Sequence, residues 1–497
     1  MRTKGLLLLL LYAIAMQYAE AQNNPFLKDF GEFRKEVRSD YENFRDEANR
    51  KYSDLLRESW KSQKVLKEQP KPKDEERPPV VMNEDLPVDP IKSVPVKIDE
   101  VVACIPKSMP QPQPLAPLEE NKSSSEETIG FGFFGTPLKV RFNSQQHFKL
   151  TTCSNEEIAN IWQQLTKSDL DNTLFDCLTL RTRHELNDWA YLLMLDSLSR
   201  ACMGAGNEAT LMLSYLYQQS GYKMRLAKNN GQLVLLYATT HNIYGQFYFN
   251  MDNIHYYIYG VGSKRKPISA TEMTVCEASF PKERPMSLWL DNTPLLHFIA
   301  SPDRILASKK YPEMNVHCAV NKNLIDFFNC YPASMDGKDQ MTRWLILAKT
   351  PFGTETEKRL ISDLKEAIKG KTELESVECL LNWVQTAFVY EYDNNVWGHD
   401  RAFFPEETLY YPYCDCEDRS ILLSRLLNDL LGLKTIIVNY PGHLALAVKF
   451  SSFVEGDYID LNGEHYVICD PTYIGAPVGM TMPEMNNNTA KVICIDY

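Results

Sequence analysis

The sequence predicts an α+β protein whose core unit occurs twice, with a β-rich region between the copies and a helix ahead of them. Three observations predict it. A helix-like run at 416–423 is followed by strand-like runs at 442–448 and 466–472. A run of the same texture at 204–214 is followed by strand-like runs at 230–236 and 255–260. Ahead of both, aromatic and apolar residues recur at the helical period from Phe26 to Trp60.

The chain opens with Arg2 and Lys4 before a leucine run at 6–11, and Ala19-Glu20-Ala21 offers a small-x-small cleavage site. That pattern reads as a signal peptide over 1–21, too short to span a bilayer. The expectation is an exported protein, periplasmic, attached to the cell envelope or secreted, with no later transmembrane segment. Residues 22–66 read as an amphipathic helical arm, its stripe formed by Phe26, Phe30, Phe33, Val37, Tyr41, Phe44, Ala48, Tyr52, Leu56 and Trp60. Such a stripe either docks on the protein's own core or faces a partner protein. Its mixed charges argue against a membrane-surface helix. Twelve prolines between Pro70 and Pro117 make 67–128 an extended linker, because proline breaks helix and sheet interiors.

The folded body is expected from residue 129. Ser154 suits the N-cap of a helix over 155–168, and 186–201 reads as a second helix. The first copy of the core unit occupies 129–260. Short apolar runs at 287–290, 316–320 and 343–348 predict a β-rich domain or insertion over 261–350. Helices resume at 355–369 and 374–388, and the second copy fills 351–497.

Composition excludes several classes. The net charge is −12, and no basic patch with interleaved aromatics occurs, which argues against nucleic acid. The 12 cysteines are irregularly spaced, with no Cys-x-x-Cys pair to support a zinc site. Most are expected to be buried free thiols. Asp393 and Asp400 lack the spacing of a calcium loop, so no metal and no cofactor is expected.

The chemistry concentrates in the last copy. Cys416 opens its helix-like run, where the helix dipole and free N–H groups would lower a thiol pKa. His443 begins a strand-like run and Asp470 ends another. A thiol, an imidazole and a carboxylate in this order suit a nucleophile, a base and a group that orients the base. Glu417 and Asp418 read as favourable charges at the helix start. His399 lies in an aromatic loop that could wall a cleft. His465 has a counterpart, His255, in the first copy and reads as structural.

These motifs resemble the transglutaminase-like superfamily, which carries a Cys-x-Asp helix start, a Gly-His strand and an Asp-Pro-Thr strand end. Here they are Cys416-Glu417-Asp418, Gly442-His443 and Asp470-Pro471-Thr472. The resemblance implies a papain-like core: a helix bearing Cys416 packed on an antiparallel sheet bearing His443 and Asp470. It implies acyl transfer through a thioester on Cys416, with a protein, peptide or peptidoglycan amide as substrate. Peptidase or amidase action ranks ahead of protein cross-linking. The chain departs from the family where Cys414 replaces a glycine, which makes Cys414 the alternative nucleophile. The other class of function is a non-catalytic envelope-binding or scaffold protein built on the same fold.

The first copy lacks these groups. Alignment of the two runs sets Gly206, Gln232 and Gly260 against Cys416, His443 and Asp470, with separations that agree to one residue. None of the three can serve as nucleophile, base or orienter.

Overall fold

The chain enters through helix α1 (Pro25–Glu58) and turns at once into strand β1 (Trp60–Lys64). In the computed structural model the described residues are 25–67, 70, 79–82, 95–97, 111–115, 118, 127–168, 170–260, 272–337 and 340–495. The expected leader at 1–21 lies outside them. Among the described residues, no helix is long and apolar enough to cross a membrane.

The second half of α1 docks on the protein's own core. Ala48, Tyr52 and Leu56 are buried one turn apart. They meet helix α2 (Asn155–Lys167), where the Tyr52 and Trp162 rings lie 5.0 Å apart. Asn49 accepts from Trp162 Nε1 at 3.1 Å and donates to Gln219 Oε1 at 3.1 Å. Trp60, expected to close the helical stripe, instead begins β1, because Trp60–Lys64 finds strand partners at 272–276. Pairing with a sheet edge overrides the local helical period.

The linker is not simply wrapped on the surface. Within it, β2 (Pro95–Lys97) joins a sheet edge, Met82 and Ile474 pair through their backbones, and Pro112 and Leu115 are buried. Pro95 fits this role because the first residue of an edge strand can lack a ladder donor.

Two units follow, each a pair of helices leading into an antiparallel sheet. The first has α3 (Asp188–Met203), α4 (Asn207–Gln219), β3 (Met224–Asn229), β4 (Gln232–Thr239), β5 (Tyr248–Met251), β6 (Ile254–Ile258) and β7 (Glu272–Cys276). Its sheet runs β1-β7-β3-β4-β6-β5. The second has α5 (Glu373–Ala387), α6 (Cys416–Leu431), β8 (Lys434–Tyr440), β9 (His443–Lys449), β10 (Tyr458–Leu461), β11 (Glu464–Cys469) and β12 (Lys491–Ile495). Its sheet runs β12-β8-β9-β11-β10-β2. Strand for strand, these five strands take the same order in both. Each sheet then gains one strand from the N-terminal region, on opposite edges.

Two-residue turns fix both registers. Asn230-Gly231 joins β3 to β4, both residues at positive φ, as a tight hairpin turn requires. Pro441-Gly442 joins β8 to β9, with Gly442 at φ 74°. This turn makes His443 the first residue of its strand. One face of each sheet packs on the helices in a common core. The other faces bury smaller clusters, Val234, Leu236 and Tyr256 in the first and Ala445, Ala447 and Tyr466 in the second.

The region 261–350 differs from the expected β-rich domain. Glu272–Cys276 belongs to the first sheet as β7, so that unit extends beyond 260. Asn315–Cys318 is a strand, whereas 287–290 is irregular and Arg343–Lys349 is a helix. An apolar run as short as Trp344-Leu345-Ile346-Leu347 carries no period that separates strand from helix. A further helix, Asp171–Arg183, precedes the first unit and had no clear signal in the sequence.

Candidate active site

Asp415 caps α6 through a reciprocal box. Its side chain accepts from Asp418 N–H, and the Asp418 carboxylate accepts from Asp415 N–H. The box leaves Cys416 as the first helical residue, where its own N–H has no partner within the helix. The sulfur accepts a hydrogen bond from the backbone N–H of Leu444, the residue after His443. One turn along, Ser420 Oγ donates to Leu444 O at 3.1 Å. The start of the helix is thus stitched to the start of β9, and Cys416 and His443 sit on adjoining backbone.

Asp470 follows β11, beside β9. His443 Nε2 and Asp470 Oδ2 are 2.8 Å apart. With the carboxylate ionised, Nε2 carries the proton and donates it, which leaves Nδ1 as the basic nitrogen. Asp470 Oδ1 accepts from Thr472 N–H at 2.8 Å and Tyr473 N–H at 3.2 Å. Tyr440 lies nearly parallel to the imidazole, with ring centroids 6.1 Å apart. Exposure is 6% for Cys416, 3% for His443 and 2% for Asp470, so all three are held in a closed site.

Two buried side chains fix the loops that carry these groups. Gln385 on α5 donates to the carbonyls of Asp470, Tyr473 and Ala476, and accepts from Gly475 N–H. Arg419 on α6 donates to the carbonyls of Gln385, Phe388 and Pro471. Its Nε lies 3.4 Å from Cys414 Sγ. Cys414 is therefore held against Arg419, while Cys416 takes the contact beside His443. Neither Gln385 nor Arg419 stands out in the sequence, since nothing local marks a buried polar hub.

The thiol does not have the lowered pKa expected at a helix start. Burial pushes Cys416 well above its ordinary value, Glu417 and Asp415 push it further, and the Leu444 N–H opposes them. The sulfur donates to Glu417 Oε2 at 3.2 Å, and no hydrogen bond joins it to the His443 ring. Glu417 thus does more than complement the helix dipole. Its carboxylate also approaches Asp393 and Asp400, the three groups offering oxygens within 4.8 Å of one another. Burial and then Asp400 push Glu417 up to about 7, against the pull of Arg343.

His399 lies in the wall of a cavity of about 230 Å³, together with Arg343, Asp400, Arg401 and Phe404. His465 stacks on Tyr458 outside this region.

The first unit sets different side chains at the matching positions. The β4–β6 register sets Leu236 opposite Ile258, and the β9–β11 register sets Ala447 opposite Ile468. Four residues back along β4 and β9, Gln232 aligns with His443, and two residues forward from Ile258 and Ile468, Gly260 aligns with Asp470, as the sequence comparison has it. The helix position differs by one residue. Gly206 is the N-cap of α4, the place Asp415 takes in α6. Asn207 is the counterpart of Cys416, because its Oδ1 accepts from Leu233 N–H at 2.8 Å, as the Cys416 sulfur accepts from Leu444 N–H. Gln232 is exposed at the surface, whereas His443 is enclosed.

Of the 12 cysteines in the chain, most of the described ones are buried. Comparison with protein-family models and with curated proteins finds no match to this chain.

Proposed function

We propose that this protein is a cysteine-dependent acyl enzyme with a transglutaminase-like, papain-like core in its C-terminal unit. Cys416 is the nucleophile, His443 the base and Asp470 the group that orients it. The observation that carries the reading is the His443–Asp470 hydrogen bond at 2.8 Å on the strand whose next residue binds the Cys416 sulfur. In this reading the sulfur attacks an amide carbonyl, an S–C bond forms and the C–N bond breaks. The thiol proton leaves on the amine by way of Nδ1. Water then attacks the thioester, which releases the acid and restores the thiol. The N–H of Cys416 is placed to stabilise the oxyanion. Peptidase or amidase action on a protein, peptide or peptidoglycan amide is the preferred activity, in an exported setting. Protein cross-linking would need an amine in place of water.

The second reading, a scaffold or binding protein without catalysis, has one observation in its favour. The thiol is enclosed and neutral, with its proton directed at Glu417. The two readings part on alkylation by iodoacetamide, followed at the Cys416 peptide by mass spectrometry. The enzyme reading expects His443→Ala to slow alkylation of Cys416 by roughly a hundredfold or more, the lower end of what a positioned base contributes. Equal rates with and without the imidazole would support the scaffold.

A further inference from the structure

We propose that Glu417 sets the charge on the Cys416 sulfur: as a carboxylate it accepts the S–H and holds the thiol neutral, and its neutralisation frees the sulfur to ionise. The inference rests on Cys416 being the nucleophile, and it adds the group that keeps that nucleophile at rest. A nucleophile paired with its base would show a sulfur–imidazole hydrogen bond. Here the sulfur donates instead to Glu417 Oε2 at 3.2 Å. A carboxylate at that distance opposes a second negative charge on the sulfur.

The surroundings of Glu417 make its own charge adjustable. Its carboxylate is buried beside Asp400 and Asp393, with oxygens of all three within 4.8 Å. Asp415, Asp418 and Tyr390 face the same space, and Arg343 is the cation acting on Glu417 from outside α6. Burial and then repulsion from Asp400 favour the neutral form of Glu417, consistent with a pKa raised to about 7. Below that pH Glu417 carries a proton and its penalty on the thiolate is lifted. Above it the penalty returns. A substrate that displaces the Glu417 side chain would lift it at any pH.

The test is the pH dependence of Cys416 alkylation by iodoacetamide in the full chain, for the wild type, Glu417→Gln, Glu417→Asp and His443→Ala. Gln keeps the size of Glu417 and removes its charge. The expected result is a midpoint lowered by about one pH unit or more in Glu417→Gln, which is roughly a tenfold gain in rate at a fixed pH between the two midpoints. The gain should grow as pH rises through about 7, where the wild-type carboxylate takes up its charge. Asp retains the charge and should keep the midpoint nearer the wild type, which separates charge from packing. An unchanged or raised midpoint in Glu417→Gln, with His443→Ala still slowing the reaction, overturns the role of Glu417 alone. No effect of His443→Ala overturns the nucleophile assignment beneath it.

Discussion

Arg419 ties together the segments that carry the candidate site. Its guanidinium is buried and donates to three carbonyls, from Gln385, Phe388 and Pro471. Those carbonyls belong to the end of α5, the segment after it and the loop after Asp470. A buried charge on several carbonyls is a costly arrangement that persists only when every bond is made. Arg419→Met, which keeps the bulk, should therefore destabilise the protein by about 3 kcal/mol or more, since each charge-assisted bond contributes about 1.5–3 kcal/mol. Urea unfolding checks this as a lower midpoint at an unchanged slope. Cys414 sits under the same guanidinium, and Cys414→Ser should leave the alkylation of Cys416 intact. A loss of Cys416 labelling in that variant would return Cys414 to the catalytic reading.

At the scale of elements, the two units show two ways of tying a helix start to a strand start, through Asn207 in the first and Cys416 in the second. In the first, Asn207 bridges both sides of the turn, donating to Gly231 O at 2.9 Å and accepting from Leu233 N–H. In the second, the sulfur of Cys416 makes only the second of these links. Asn207→Ala should therefore cost about 1–3 kcal/mol through unsatisfied backbone groups, and leave Cys416 alkylation unchanged. Calorimetry and labelling on one preparation would check both halves of the expectation. Much of this was legible in the sequence. The N-cap Ser154 and the two helix–strand–strand runs fall where the structure places them, although Asn230-Gly231 and Gly442, read as the starts of strand-like runs, are turn residues. What could not be read is non-local. The register that makes Asn207 rather than Gly206 the match to Cys416 comes from a hydrogen bond across 26 residues. The Arg343–Lys349 helix has too short an apolar run to declare a period. The raised thiol pKa arises from burial and then from the charges of Glu417 and Asp415, and the burial is a property of the whole fold that no local pattern encodes.

For the whole molecule, buried carboxylates give stability a characteristic pH dependence. Glu407 is buried beside Arg401, yet burial outweighs the cation and lifts it to about 7. Glu417 is lifted to about 7 by burial and Asp400. Both bind their proton more tightly when folded than when unfolded. Their contribution is therefore present below about 4.5 and is lost as pH rises through about 7. Glu157 runs the other way: hydrogen bonds from Thr151 and Thr152 lower it to about 2, so its contribution is lost as pH falls from about 4.5 to about 2. Thermal stability should accordingly be greatest in mildly acidic solution and fall on either side. Glu407→Gln should flatten the decline between about 4.5 and 7 without altering the acid limb. A decline of unchanged steepness in that variant would mean Glu407 does not titrate there. The N-terminal region shares in this stability, because β1 and β2 close the edges of the two sheets.

The most direct test is to trap an acyl group on sulfur. The full chain is incubated with p-nitrophenyl acetate, quenched in acid, and each cysteine-containing peptide is weighed. The predicted result is an acetyl thioester on Cys416, absent from Cys416→Ala and strongly reduced in His443→Ala and Asp470→Asn. Acetyl spread evenly over several cysteines, or a Cys416 adduct that ignores the loss of His443, would contradict an acyl enzyme at this site.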